Sequence, residues 1–339
     1  MHCYISKNYK GLNSAGNKAK TDIEQIMRKH RFKNVGLSQT QYNNSIIGFL
    51  ITLAGVIKAI FCIQKGDELV LQYPLKKYYT FLCVLTHLKR GKVITVIHDL
   101  GSFRRQKLTV SQEIKRLNQS DYIIAHNPSM KKWLEEQGIK TKIGCLEIFD
   151  YLSATTAPAR SLKDTFDIVY AGGLSERKNN FLYKWKHDTL LYRVNLYGSG
   201  FIAENTESPD LFSYKGFIPS DQLIAESEGN FGLVWDGDSL TECSGEWGEY
   251  LKYNNPHKTS LYIRCHLPII IWQKAALAPF IENNKIGITI NSISELNQKL
   301  SEITPEKYDE LIENCKNIDE KIRNGHYILK ALETAIQEI

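Results

Sequence analysis

Two helix starts in the second half of the chain carry cations where a helix ordinarily disfavours them. In Asn254-Asn255-Pro256-His257-Lys258, Asn255 reads as an N-cap and Pro256 as the first helical residue. That reading sets His257 and Lys258 in the first turn, where the helix dipole penalises positive charge. Basic residues there suit an anion held by the free N–H groups, with Thr259 and Ser260 adding hydroxyl donors. The functional reading is a diphosphate cradle; the plainer alternative is an ordinary capped helix. A second start of the same kind follows the apolar run Asp167–Ala171. There Gly172-Gly173 permits a tight turn, Ser175 can cap a helix, and Arg177 and Lys178 fall in its first turn. Tyr197-Gly198-Ser199-Gly200 is a third glycine turn in an equivalent place, too little on its own for a dinucleotide fingerprint.

Three further constellations could carry chemistry. Asn13-Ser14-Ala15-Gly16 follows the first apolar run and opens a helix, as a loop admitting substrate to the backbone or as a plain turn. His98-Asp99 ends another apolar run, and either side chain could deprotonate an acceptor hydroxyl; a structural histidine is the alternative. Asp236-Gly237-Asp238 offers the oxygen ligands that suit Mg²⁺ or Mn²⁺ on a diphosphate. The two basic helix starts already supply positive charge, so no metal is expected. Glu242, Glu246 and Glu249 either bind sugar hydroxyls or solvate a loop.

The elements that must position these residues alternate. Strand-like runs at 3–6, 35–38, 68–72, 92–98, 122–125 and 143–147 are separated by helical patterns at 16–29, 44–63, 76–90, 110–119 and 127–137. The second half repeats the theme, with strands at 167–171, 192–197, 212–215, 231–235, 268–272 and 286–290. Helices there fit 175–184, 219–227, 256–265, 274–284, 292–302 and 304–323, with a last one from about 326. Such alternation predicts parallel sheets covered on both faces. Residues 153–165, small, polar and Pro-containing, read as a linker. The expected organisation is an α/β protein of two Rossmann-like lobes, 1–152 and 166–324, a last helix over 325–339, and a ligand cleft between the lobes.

Composition sets the frame. The 339 residues are 42 % apolar and 24 % charged, ordinary for a globular protein and enough to bury large cores. Seven scattered cysteines without a CxxC pair argue against a disulfide framework or a zinc site, and for a reducing compartment. Residues 1–150 carry 24 Lys+Arg against 11 Asp+Glu, a balance of +13, while residues 151–339 carry 19 against 26, a balance of −7. The first half therefore faces something anionic: nucleic acid, an acidic leaflet or a phosphorylated substrate. Its clusters Lys76-Lys77, Lys89-Arg90-Gly91-Lys92 and Arg104-Arg105-Gln106-Lys107 lack aromatic interleaving and read as a basic rim rather than a nucleic-acid arm. MHCYISKNYK is not a signal peptide. The apolar run Ile46–Ile63, broken by Gly48, Thr52, Gly55 and Lys58, reads as a buried core helix in preference to one lying in a membrane plane. A cytoplasmic protein is expected.

At WDGDS, CSG, GEYLKYNNPHKTSLY and LPIIIWQKAALAPFI, within 231–281, the chain resembles bacterial β-1,6-galactofuranosyltransferases of O-antigen assembly and the related glucosyltransferases that extend glycans on serine-rich adhesins. The likeness continues through HDL (98–100), HNPSM (126–130), IFDYL (148–152), YAGGLSERK (170–178) and IRNGHY (322–327), and is weakest over residues 1–60. The resemblance implies a GT-B fold: an N-terminal acceptor lobe, a C-terminal nucleotide-sugar lobe and a last helix crossing back to the first. It implies a UDP-sugar donor, no cofactor and no essential metal. Gly172, Gly173, Arg177, Asn255 and Lys258 match donor-binding segments, and Tyr250, Thr259 and Ser260 join them in the same block. Phe217 and Ile218 would lie at the uracil, and Asn13, Ser14 and Gly16 under the donor phosphates. On this reading Lys258 and Arg177 stabilise the leaving diphosphate, and Asp99 or His98 is the base an inverting reaction needs. The implied activity is transfer of galactofuranose, or of glucose, to a glycan acceptor of surface polysaccharide. A lipid-linked acceptor, a peripheral seat on the inner face of the membrane and self-association are compatible with it. A non-catalytic sugar-nucleotide-binding subunit is the competing class.

Overall fold

The computed structural model describes residues 1–9, 15–75, 78–103, 108–162, 165–186 and 191–339. Asn13 and Ser14, and the basic clusters at 76–77 and 104–107, lie outside them. The chain forms two units, Met1–Asp150 with Gly325–Ile339, and Tyr151–Asn324.

Each unit is built on six parallel strands. The first has β1 (His2–Tyr4), β2 (Lys33–Asn34), β3 (Glu68–Tyr73), β4 (Lys92–Ile97), β5 (Tyr122–Ala125) and β6 (Lys142–Cys145), in the order β2-β1-β3-β4-β5-β6. Every residue of β3 from Leu69 to Tyr73 and of β4 from Val93 to Ile97 is buried. Runs buried on both faces are what helices above and below a parallel sheet require. The second unit has β7 (Phe166–Gly173), β8 (Tyr192–Ser199), β9 (Phe212–Gly216), β10 (Phe231–Val234), β11 (Ile269–Trp272) and β12 (Gly287–Ile290). Their order, β12-β11-β10-β7-β8-β9, is that of the dinucleotide-binding fold. The strand order reverses between β7 and β10, and ligands of such sheets bind beyond the strand carboxyl ends at that point. Both sheets were foreseeable from the alternation, although the second strand forms at Lys33–Asn34, just before the run read as strand.

Residues 151–162 belong to the second unit. The Arg160 guanidinium donates to the carbonyls of Ser227 and Cys265 and, at 2.8 Å, to Ser227 Oγ. Arg264 reaches back to Ser153 O and Thr155 O at 2.9 and 2.8 Å and pairs with buried Asp319. At the other end, Gly325 takes φ +77°, turning the chain out of the helix Pro305–Arg323 and into the last helix, His326–Glu338. Asp150 accepts from the Tyr327 and Ile328 amides at 3.2 and 2.7 Å, which caps that helix within the first unit.

One expectation fails. The helix Ser45–Cys62 is not a core helix: only 22 % of it is buried, through Gly48, Gly55, Val56 and Ala59. Small residues set it close to the unit. A Cβ on Gly55 would stand 3.3 Å from Leu37 N and one on Gly48 2.7 Å from the Asn8 side chain. The large apolar side chains consequently point outward. Apolar content alone does not say which face of a helix is covered, and here the small residues take the buried side.

Candidate active site

The second unit gathers the chemistry at its strand-order reversal. β7 delivers Tyr170 and then runs out through Gly172 and Gly173, both exposed. Gly172 has φ +143° and Gly198, its partner on β8, φ +149°; a Cβ on Gly198 would fall 1.8 Å from Gly172 O. The two strand ends thus converge more closely than any side chain allows. The Tyr262 hydroxyl accepts from Ala171 N at 2.7 Å and pins the end of β7. A short turn of helix, Glu176–Asn179, follows. Asn179 donates to Gly173 O at 2.5 Å, holding that turn on the strand.

Next to β7, β10 continues into Trp235, Asp236 and Gly237. Asp236 is 7 % exposed and is the counter-ion of two lysines. Its Oδ1 lies 2.9 Å from Lys258 Nζ, 3.7 Å from Lys178 Nζ and 2.9 Å from the Tyr170 hydroxyl. Lys258 Nζ also donates to that hydroxyl at 3.1 Å and stands 4.2 Å from the centre of the Tyr170 ring. Lys178 Nζ is 5.4 Å from the centre of the Trp247 ring. Burial works against ionising Asp236, but the charges of Lys178 and Lys258 outweigh it and hold the carboxyl below its usual range. Burial pushes Lys258 down to about 8; Lys178 adds to that and Asp236 opposes it. Two cations share one carboxylate at a nearly buried place, leaving an excess positive charge that attracts an anion.

Beyond Asp236 the chain folds back on itself. Gly237 (φ +113°) leaves no room for a side chain, since a Cβ would lie 2.1 Å from Ser244 O. Arg177, Gly237, Asp238, Ser244, Gly245, Glu246 and Trp247 line a cavity of about 220 Å³ beside the lysine pair. Arg177 itself is exposed. Of the two basic residues in that turn, Lys178 meets Lys258 across Asp236, and Arg177 borders the cavity.

The other expected site residues fall as follows. The helix spans His257–Arg264 with Pro256 at its N-cap in extended conformation, so Asn255 is not the cap; it is a buried residue one place earlier. The shift leaves Lys258 in the first turn, and Pro256 offers no side-chain acceptor to the first amides. The His257 ring stacks on Tyr151 at 4.8 Å. Thr259, Ser260 and Tyr250 are buried, and the Thr259 hydroxyl has no partner among the described residues. Phe217, 54 % exposed, and Ile218 follow edge strand β9, two strands away from β7 but on the same carboxyl edge. In the first unit, Gly16 lies in the helix Ala15–Lys29 with open space where a Cβ would project. His98 and Asp99 follow β4; His98 Nε2 pairs with Gln72 Oε1 at 2.7 Å and its ring stacks on Phe149 at 5.5 Å. Glu246 borders the cavity, whereas Glu249 forms a surface ion pair with Lys252.

Sequence reasoning missed Tyr170 altogether and considered Asp236 only as a metal ligand. Its placement one residue past a buried strand, between two basic helix starts, was the available signal for a counter-ion.

Comparison with known proteins gives the family and the fold. Residues 2–148 match the N-terminal and residues 168–335 the C-terminal domain of the family described as glucosyltransferase 3-like. The chain is 34 % identical over 328 residues to beta-1,6-galactofuranosyltransferase WbbI of Escherichia coli K12, covering 96 % of this chain and 95 % of that one. It is 24 % identical over 330 residues to glucosyltransferase 3 of Streptococcus gordonii, covering 95 % and 94 %. Among solved structures, the lipopolysaccharide outer core galactosyltransferase WaaB superposes with a TM-score of 0.57 at 10 % identity over 99 % of both chains. Trehalose-6-phosphate from E. coli bound with UDP-2-fluoro glucose gives 0.60 at 9 % identity, over 100 % of this chain and 99 % of that one. These likenesses carry the GT-B fold, and the sequence relationship carries the rest: the chain belongs to the glucosyltransferase 3-like family of sugar-transferring enzymes.

Proposed function

We propose that the protein transfers galactofuranose from UDP-galactofuranose to a hydroxyl of a cell-surface polysaccharide acceptor, forming a β-1,6 linkage. The observation that carries the reading is the Lys178–Asp236–Lys258 cluster at the strand-order reversal, where a diphosphate would add the negative charge the site is short of. The choice of sugar leans on the 34 % identity to the galactofuranosyltransferase, against 24 % to the glucosyltransferase.

In the proposed reaction the bond from sugar C1 to the diphosphate oxygen breaks, and UDP leaves with the electron pair. Lys258, Lys178 and Arg177 stabilise the charge that develops there, worth about 3 kcal/mol per well-placed group, so that no metal is required. The acceptor oxygen forms the new bond to C1 and yields its proton to a base. A β product from an α-linked donor requires inversion, for which His98 or Asp99 is the proposed base. Gly172, Gly173, Asn255, Thr259, Ser260 and Tyr250 belong to the proposed donor site, with Phe217 and Ile218 at the uracil and Asn13, Ser14 and Gly16 under the phosphates. The cytoplasm is the proposed location, and a lipid-linked glycan the proposed acceptor.

The family description names a glucosyltransferase, which supports glucose transfer, with UDP-glucose as the proposed donor, as the second reading. Purified enzyme offered UDP-galactofuranose, UDP-glucose and UDP-galactopyranose with a simple glycoside acceptor distinguishes the two; product from none of them rejects both. Lys258→Met should lower kcat/KM by about a hundredfold or more with the circular dichroism spectrum unchanged, and unaltered turnover would remove Lys258 from the mechanism.

A further inference from the structure

The helix Ser45–Cys62 presents its large apolar side chains to solvent. Ile46, Leu50, Ile57 and Phe61 are 70, 55, 48 and 74 % exposed. At about 100° per residue they fall within roughly 60° of arc, directly opposite Gly48, Gly55 and Ala59, the residues that seat the helix. The neighbouring helix Tyr78–Leu88 adds a second stripe: Phe81, Val84 and Leu88 are 44, 50 and 78 % exposed. Lys89, just after it, donates to Ile60 O and Ile63 O at 2.5 and 2.6 Å, which brings the two stripes together at one end. A contiguous apolar surface of this kind marks a docking face.

Its charge surroundings say what docks. No acidic residue occurs from 25 to 66, and from 25 to 98 the only two are Asp67 and Glu68. Both are engaged, Asp67 with the N-terminal amine at 3.3 Å and Glu68 with His2 at 2.5 Å. Lys58, Lys65 and Arg90 are exposed on or beside the helices. An apolar face flanked by cations, beside which the carboxylates of Asp67, Glu68 and, against His87 and Lys92, Asp121 are ion-paired, suits a surface of lipid tails beneath anionic headgroups. It suits a second copy of the chain poorly, because a symmetric contact would bring the same cations together. The helix does not suit a spanning role either. Val56 and Ala59 belong to the core of the unit, and crossing a bilayer would strip them from it.

We propose that the exposed stripe of Ser45–Cys62, extended by Phe81, Val84 and Leu88, seats the protein in the plane of an anionic lipid bilayer. The inference is independent of which sugar is transferred.

Flotation of the full chain with lipid vesicles tests it. The protein should float with vesicles containing phosphatidylglycerol, bind phosphatidylcholine vesicles more weakly, and lose affinity as salt is raised. Replacing Leu50 and Phe61 together by Gln should weaken binding at least about tenfold without changing the unfolding temperature, since both side chains are exposed. Alkaline carbonate should release the bound protein. Absence of flotation with any vesicle, or equal flotation of the variant, overturns the proposal. So does resistance to carbonate, which indicates spanning, or a dimer that the variant dissociates while neither form binds vesicles.

Discussion

Replacing Asp236 by Asn removes the charge that lets two lysines share a nearly buried place. At an effective dielectric of about 20, unit charges 2.9 Å apart attract by about 6 kcal/mol and at 3.7 Å by about 4 kcal/mol. The wild type recovers only part of this, because all three groups lost water. Breaking a buried pair on one side typically costs about 3–5 kcal/mol; the loss expected for Asp236→Asn at neutral pH is smaller, about 1–3 kcal/mol, because Lys258 can shed its proton instead. The amide still accepts hydrogen bonds, so the loss is electrostatic and must depend on pH. Lys258 already sits at about 8 when Asp236 is ionised, and without that carboxylate it moves lower. The penalty should therefore shrink as pH rises through 8, where Lys258 of the wild type also gives up its proton. UDP brings back the missing negative charge and should raise the unfolding temperature of the variant more than that of the wild type. Thermal unfolding of both proteins at several pH values, with and without UDP, measures all of this. Equal stability at neutral pH, a deficit that ignores pH, or no extra protection by UDP would refute the reasoning.

Three further outcomes follow from the same geometry. Because the folded-state value of Lys258, about 8, lies below the ordinary 10.5, its protonation penalises the folded protein at neutral pH, and stability should rise by about 3 kcal/mol from this group between pH 8 and 10.5. Donor affinity should run the opposite way, weakening by up to tenfold per unit above pH 8 as the cation is lost, and isothermal titration with UDP at pH 7 and 9 checks the sign. Gly198→Ala places a methyl 1.8 Å from Gly172 O at φ +149°, so it should destabilise by more than about 2 kcal/mol and weaken UDP binding, read by unfolding and titration together; a neutral effect would show that the strand ends are not closely joined.

Much of the architecture was legible because burial on both faces leaves a periodic trace. Val93–Ile97, β-branched throughout, and Ile269–Trp272 are runs without a charged residue, buried end to end, and strands of a covered parallel sheet are of that kind. Glycines at 172 and 198 were legible as turns for a similar reason, since side chains rarely adopt φ +143° and +149° beside another strand. The helix start at Lys258 was readable to within one residue, the difference being whether Pro256 stands inside the helix or before it. Less legible was the pairing across the site. Arg177 and Lys178 are equivalent by composition, and only the rotation of the turn Glu176–Asn179 against β7 sends Lys178 to Asp236 and leaves Arg177 at the cavity rim.

The amino-acid order by itself determined the two parallel sheets, the glycine turns at their carboxyl ends and the cationic character of the helix starts, because each follows from local periodicity or backbone freedom. Tertiary structure alone decided that Asp236 stands between two lysines, that Tyr170 is the platform beneath Lys258, and that the helix Ser45–Cys62 buries its small residues and exposes its large ones. Those outcomes depend on which faces meet. Residues 66 or 80 positions apart, as Tyr170 is from Asp236 and Lys178 is from Lys258, acquire a shared electrostatic environment only when the strand order places β7 beside β10.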